Sequence, residues 1–300
     1  MLSEKMQVGT RVAPAANTGQ LRIGLRAELA AEIVRLIVEC AQAAIRVRDQ
    51  FTLAIPGGSV ADACLPLLMV ADLPWEKVHL FWVDERVVPL SDVNSNAGQA
   101  FRLWNGTHMG NTAHFHVMFG DQPSQQTISA VGNGPDSNGV TSSHIRRDNG
   151  FGNSTDNRSD SGSAIDAANE MHAAAKFYAA QLQSIAGVPI ALDVVLLGVG
   201  EDGHVASLFP GHASALQNTP PVIAVFDSPK PPVNRLSLAF GVLVSAREVI
   251  VAAFGNGKAG VMQQALEEAA SPLPVARIIR EAQGVHVLLD HEAASQLRPA

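Results

Sequence analysis

His204 closes a glycine-rich run, Gly198-Val-Gly-Glu-Asp-Gly-His204, and a carboxylate, Asp202, stands two positions before it. Imidazole is the side chain that exchanges a proton near neutral pH, and an adjacent carboxylate can orient the ring and stabilise the imidazolium. A general base is the chemistry expected of His204, with Asp202 as its partner. The same run also fits Gly-x-Gly-x-x-Gly after an apolar strand. A dinucleotide site needs the third glycine to open a long helix, and Pro210-Gly211 follows Gly203 too soon for one. NAD is therefore not expected, and no other cofactor is.

Two further runs could hold an anion. Pro56-Gly57-Gly58-Ser59 leads from an apolar strand into a helix, where outward N–H groups and the helix dipole favour phosphate. It also reads as a tight turn with Ser59 as N-cap, and the two readings are compatible. Gly255-Asn-Gly-Lys258 repeats the arrangement without Walker A spacing. A cation at a helix N-terminus opposes the dipole, and an anion bound between them would account for Lys258. The fourth cluster is Asp84-Glu85-Arg86. Alternate side chains of an extended segment point apart, so its two carboxylates do not form a pair. His114-Phe-His116 sets two imidazoles on one strand face, but no carboxylate or third histidine is near in sequence, so no metal is expected there. Ser59 is not in a Gly-x-Ser-x-Gly elbow, which argues against a serine nucleophile.

The elements that must position these clusters follow from periodicity. Apolar residues at helical spacing predict a long helix over Leu25 to Arg48, with others over Ser59 to Val70, Ala97 to Trp104, Ala164 to Ile185 and Lys258 to Glu268. Short apolar runs predict strands at 51–55, 78–83, 115–118, 192–197, 222–226, 235–240, 249–254 and 285–289. Strands alternating with helices imply an α/β fold, a mainly parallel open sheet covered by helices on both faces. Each of the four clusters follows directly on a strand, and ligands bind outside the carboxyl ends of such sheets. The clusters are expected to converge on one site.

With 300 residues, 47% of them hydrophobic, the chain can bury a core without staples. Cys40 and Cys64 lack metal or redox spacing and read as buried free thiols. A net charge of −7 with no basic stripe argues against nucleic acid. No apolar run could span a bilayer and the N-terminus has no signal core, so a cytoplasmic location without membrane contact is expected. Residues 1–20 are expected to be a disordered segment, and 21–300 a single domain carrying a polar, low-complexity insertion at about 121–163. A monomer is expected.

Four segments, in this order, resemble the 6-phosphogluconolactonase family. They are Asp84-Glu-Arg-Val-Val-Pro89 with Ser95-Asn96, Leu192-Asp-Val-Val-Leu-Leu-Gly-Val-Gly-Glu-Asp-Gly-His-Val-Ala-Ser-Leu-Phe-Pro-Gly211, Pro229-Lys-Pro-Pro-Val-Asn-Arg-Leu-Ser-Leu238, and the turn Gly257-Lys258. The resemblance runs from about Leu25 to Leu289 and implies a Rossmann-like fold shared with glucosamine-6-phosphate deaminases. The Ser-Leu-Phe-Pro-Gly211 ending is similar to the lactonases, where the deaminases typically carry Asn-Glu-Pro. It implies hydrolysis of 6-phosphogluconolactone to 6-phosphogluconate, a step of the oxidative pentose phosphate pathway, with no metal. His204, Asp202 and Arg86 are then the expected catalytic residues. Gly57, Gly58, Ser59, Asp84, Asn96, Gly200, Gly203, Arg235 and Lys258 would bind substrate. Arg86 and the turn amides from Gly200 to Gly203 are alternative oxyanion partners. An aminosugar-phosphate deaminase or isomerase, and a non-catalytic sugar-phosphate sensor, are the rival functions. Two positions depart from the family pattern: Val60-Ala61 replaces Thr-Pro after Ser59, and Val205 replaces Thr after His204.

Overall fold

The computed structural model describes residues 10–11, 21–120, 160–215 and 220–298. Most of the expected N-terminal segment, and residues 121–159 of the expected insertion, lie outside them, whereas residues 160–163 already belong to a helix.

From edge to edge the main sheet runs β1 (Thr10–Arg11), β2 (Leu21–Gly24), β11 (Val285–Asp290), β10 (Glu248–Ala253), β7 (Val194–Gly198), β3 (Phe51–Ile55), β4 (Val78–Trp82) and β6 (His114–His116). Every neighbouring pair is parallel except β1 with β2. Side chains alternate faces along a strand. Leu53 and Ile55 of β3, Val194 and Leu196 of β7, and Ile250 of β10 therefore join one core, with α1 (Arg26–Arg48), α2 (Gly58–Leu68) and α3 (Asn96–Trp104). Ala54, Val195, Leu197 and Val251 join the other, with the helices Asp160–Ala186 and Pro274–Glu281. Burial on both faces explains why these strands read as unbroken apolar runs.

Asp193 is the exception in its run. It is buried at the end of β7 remote from Gly198, where its carboxylate accepts Thr52 N–H at 2.9 Å, Thr52 Oγ at 3.0 Å and Arg48 Nη2 at 2.5 Å. It fastens β3 to β7 by charge-assisted bonds and lies at the opposite end of the sheet from the cavity described below.

The strands predicted at 222–226 and 235–240, and the polar run after Val83, form a separate antiparallel sheet: β5 (Asp84–Arg86), β9 (Arg235–Leu238) and β8 (Val222–Val225). A parallel pair needs a long crossover, and no helix lies between β8 and β9. Val83 joins the two sheets, its N–H donating to Ile55 O at 2.9 Å and its carbonyl accepting Leu238 N–H at 2.8 Å. The helix expected from Lys258 begins instead with a 3-10 turn, Asn256–Lys258, and is α-helical over Ala259–Glu267. The strand Leu21–Gly24 and the helices His108–Thr112 and Pro274–Glu281 were not expected, although Pro274 at a first helical turn was a readable start signal. Both cysteines are free thiols; Cys64 is buried and Cys40 only half-buried.

Candidate active site

The four strand-end clusters meet. Gly57, Gly58 and Ser59 after β3, Asp84 and Arg86 of β5, Gly200 and His204 after β7, and Lys258 after β10 line one cavity of about 210 Å³, with Asn96 and Arg235. Of the residues expected to form the site, only Asp202 and Gly203 are absent from this wall.

His204 stands in a turn that closes on itself. Gly200 N–H donates to His204 O at 2.9 Å, Gly203 N–H donates to Gly200 O at 3.0 Å, and Val205 bridges to Val199 and Leu208. No helix follows Gly203, which sits at φ +83° with its carbonyl accepting Val275 N–H, so the dinucleotide mode is excluded here by geometry. Gly203 shapes the turn and is not among the residues that line the cavity. Gly200 has a similar steric duty. A methyl group there would lie 2.0 Å from His204 Nδ1 and 2.7 Å from Asp202 Oδ1. Asp202 stands behind the ring, its Oδ1 2.5 Å from His204 Nδ1. Burial alone would raise the Asp202 pKa, but the hydrogen bond and charge of His204 outweigh it and bring it down to about 2. Asp202 is thus an anion across the neutral range, and Nδ1 is committed to it. Nε2 is the nitrogen left to exchange a proton with the cavity.

The cavity wall also carries cations, Lys258, Lys230, Arg86 and Arg235. The helix α2 begins at Gly58 with φ +70°, and Gly57 takes the N-cap position, so Ser59 lies in the first turn and not at the cap. Lys258 Nζ sits 3.7 Å from Glu201 Oε1. Its pKa is lowered by burial and by the charge of Lys230, with Glu201 pulling the other way. Lys230, which also lines the cavity, was missed at the level of sequence. It belongs to the Pro229-Lys-Pro-Pro232 stretch, and only the fold shows why that stretch matters. Arg235, buried at 6% exposure, donates to Pro232 O at 3.0 Å and Lys230 O at 3.1 Å. Its guanidinium is thus largely spent on holding the Lys230 loop, and burial lowers its pKa against the pull of Asp84.

Asp84 accepts Ser207 Oγ at 2.7 Å and lies 4.0 Å from Arg235. Asn96 Nδ2 donates to Asp84 O at 2.9 Å, and Asn96 Oδ1 presses on Gly57, where a methyl group would meet it at 1.9 Å. Arg86 reaches from β5 with Nη1 on Asn94 O at 2.7 Å.

His114 and His116 are joined by His79 of the neighbouring strand, a third histidine that sequence distance concealed. His79 Nδ1 and His116 Nε2 are 3.1 Å apart, and His79 stacks on His114. Among the described residues no group of three or more His, Cys, Asp or Glu side chains is placed to hold a metal ion. Nor is any helix among them long and apolar enough to cross a membrane.

The comparisons with known proteins point to one family. The sequence model of the family described as glucosamine-6-phosphate isomerases/6-phosphogluconolactonase matches residues 25–134 and 150–288. The 6-phosphogluconolactonase of Mycobacterium tuberculosis is 34% identical over 277 residues, covering 90% of this chain and 94% of the relative. Among solved structures, the 6-phosphogluconolactonase from Trypanosoma brucei superposes with a TM-score of 0.68 at 26% identity, over 97% of this chain and 100% of that one. A monomeric glucosamine-6-phosphate deaminase gives 0.61 at 15% identity, over 92% and 99%, a likeness of fold alone.

Proposed function

Because the chain belongs to the glucosamine-6-phosphate isomerase/6-phosphogluconolactonase family, we propose that it hydrolyses 6-phosphogluconolactone to 6-phosphogluconate, with His204 as the base that activates water. The observation that carries this reading is His204, backed by Asp202, lining the same cavity as Lys230, Lys258 and the α2 N-terminus. A base and an anion cradle are what a phosphorylated ester needs. A lactone is already activated, so no covalent nucleophile is required. His204 Nε2 takes a proton as the water oxygen bonds to C1. The carbonyl electrons move onto oxygen and return as the ring C–O bond breaks. His204 then gives its proton to the departing ring oxygen, leaving an open-chain acid.

The oxyanion falls to Arg86. Gly200 and Gly203 have their N–H groups occupied inside the turn, and Arg235 is engaged by backbone carbonyls. A preorganised donor of this kind is a large contributor to acyl transfer. The phosphate rests on Gly57, Gly58, Ser59, Lys258 and Lys230. The protein is read as a single-domain cytosolic monomer, a state that light scattering would check.

A coupled dehydrogenase assay should show 6-phosphogluconate forming faster than the lactone decays spontaneously. His204→Asn should lower kcat by ~10²–10⁴-fold. Near-wild-type turnover in that variant removes His204 as base, and ammonia released from glucosamine 6-phosphate would instead identify a deaminase.

A further inference from the structure

Glu85 lies between two residues of the cavity wall, takes no part in lining it, and is 1% exposed. Its surroundings consist of donors. Oε1 accepts Arg86 N–H at 2.7 Å and Asn96 N–H at 2.8 Å. Oε2 accepts Ala97 N–H at 2.8 Å and Ser95 Oγ at 3.1 Å. Ser95 Oγ in turn accepts Gly98 N–H as the N-cap of α3, so its own proton is directed to Glu85. One carboxylate thus binds β5 to the first turn of α3, through the backbones of Arg86 and Asn96.

We propose that Glu85 is a positioning residue for the reaction: its carboxylate sets where Arg86 and Asn96 enter the cavity, and through Asn96 where Asp84 and Gly57 meet it. The inference rests on the reading that Arg86 and Asn96 face the substrate. The pairing of β5 with β9 holds the backbone of Arg86 on its other side, and Glu85 closes the side that faces α3. Arg86 is tied by Nη1 to Asn94 O, in the same connection that Glu85 closes. Asn96 passes the constraint on, since its Nδ2 donates to Asp84 O while its Oδ1 presses on Gly57. A glutamine would be the same size and would fill the same space. Its amide would bring a donor against donors on one side, because every partner of Glu85 donates. Burial pushes the Glu85 pKa up to about 7 while the three N–H groups pull it down. The facing charges are Asp84 and Arg86 on its own strand and Arg235 on β9, with Tyr178 the nearby phenol.

A residue that only caps α3 would cost stability when altered and leave the chemistry of the folded molecules alone. A positioning residue also changes the kinetics of each folded molecule. Glu85→Gln, assayed at a temperature where circular dichroism shows it folded, should lose about 10²-fold in kcat/KM, the scale of a small misplacement at a reacting centre. The same substitution made in an Arg86→Ala, Asn96→Ala background should cost much less, because its targets are gone. Unchanged kcat and KM in folded Glu85→Gln, or an equal loss in both backgrounds, overturns the proposal. If Glu85→Gln does not fold, Ser95→Ala removes one of the four donors, and it should lower kcat/KM by a smaller factor; unchanged constants there overturn it equally. Should the wild-type protein show no lactone turnover, the hydrolase reading fails separately. Calorimetric affinity for 6-phosphogluconate then serves as the readout, with weaker binding by the variant expected and equal binding overturning the positioning role.

Discussion

Lys258 and Arg86 are both cations of one cavity, yet their surroundings assign them different work. Lys258 stands beside the N-terminus of the helix Ala259–Glu267, with the exposed carboxylate of Glu201 as its ion-pair partner and Asp202 as a weaker attraction. Such a pair at the rim contributes little by itself, so the ammonium is available to an entering phosphate. A phosphate contact is made alike in ground state and transition state. Lys258→Ala should therefore raise KM about tenfold or more, the worth of a charge-assisted bond, with kcat nearly kept. Lys230→Ala should act in the same direction. Steady-state kinetics over a range of lactone concentrations separates the two constants, and a loss confined to kcat would move Lys258 to the reacting carbonyl.

At the scale of elements, the turn after β7 works by exclusion. Its two end amides are bonded within it, and Val205 is stitched to Val199 and Leu208. These contacts fix the backbone at His204, the Nδ1–Asp202 contact orients its ring, and Gly200 is the space that admits the ring. Gly200→Ala places a methyl 2.0 Å from His204 Nδ1. It should lower kcat by about 10²-fold through displacement of the imidazole, while the melting temperature moves little because the methyl meets His204 and Asp202 and no core side chain. Measuring kcat together with the thermal midpoint checks both halves. A large loss of stability with unchanged kcat would show that the turn accommodates the methyl elsewhere.

For the molecule as a whole, groups that stabilise and groups that react are set at different places. The His79, His114 and His116 cluster sits on β4 and β6, the last two strands at one edge of the main sheet. Burial, reinforced by the neighbouring imidazoles, lowers His79 and His116 from 6.5 to about 4. Between those values the unfolded chain binds more protons than the folded one, so their contribution makes stability fall as pH drops from about 6.5 to about 4. Glu85, raised from 4.5 to about 7, acts in the opposite sense over an overlapping window. The informative quantity is therefore a difference. Urea unfolding at pH 7 and pH 5 should show a smaller acid loss in a His79→Gln, His116→Gln variant than in the wild type. Equal losses would mean that the cluster does not titrate in this range.

Sequence by itself determined whatever local periodicity and local chemistry could express. Five strands of the parallel sheet, β3, β4, β7, β10 and β11, were visible as apolar runs because burial on both faces demands them, whereas β6 buries only Phe115 and left a weaker trace. The position of the site was visible because glycine turns and charges gathered at strand ends. His204 with Asp202 was visible because the two are neighbours in the chain. Only the tertiary structure decided what depends on residues distant in sequence. It turned β5, β8 and β9 into a second sheet, brought His79 to His114 and His116, and set Lys230 near Lys258 while Arg235 holds the loop that carries Lys230. It also engaged the Gly200 and Gly203 amides inside the turn. The physical reason is the same in each case: a hydrogen bond across long loops leaves no periodic trace in the chain that makes it.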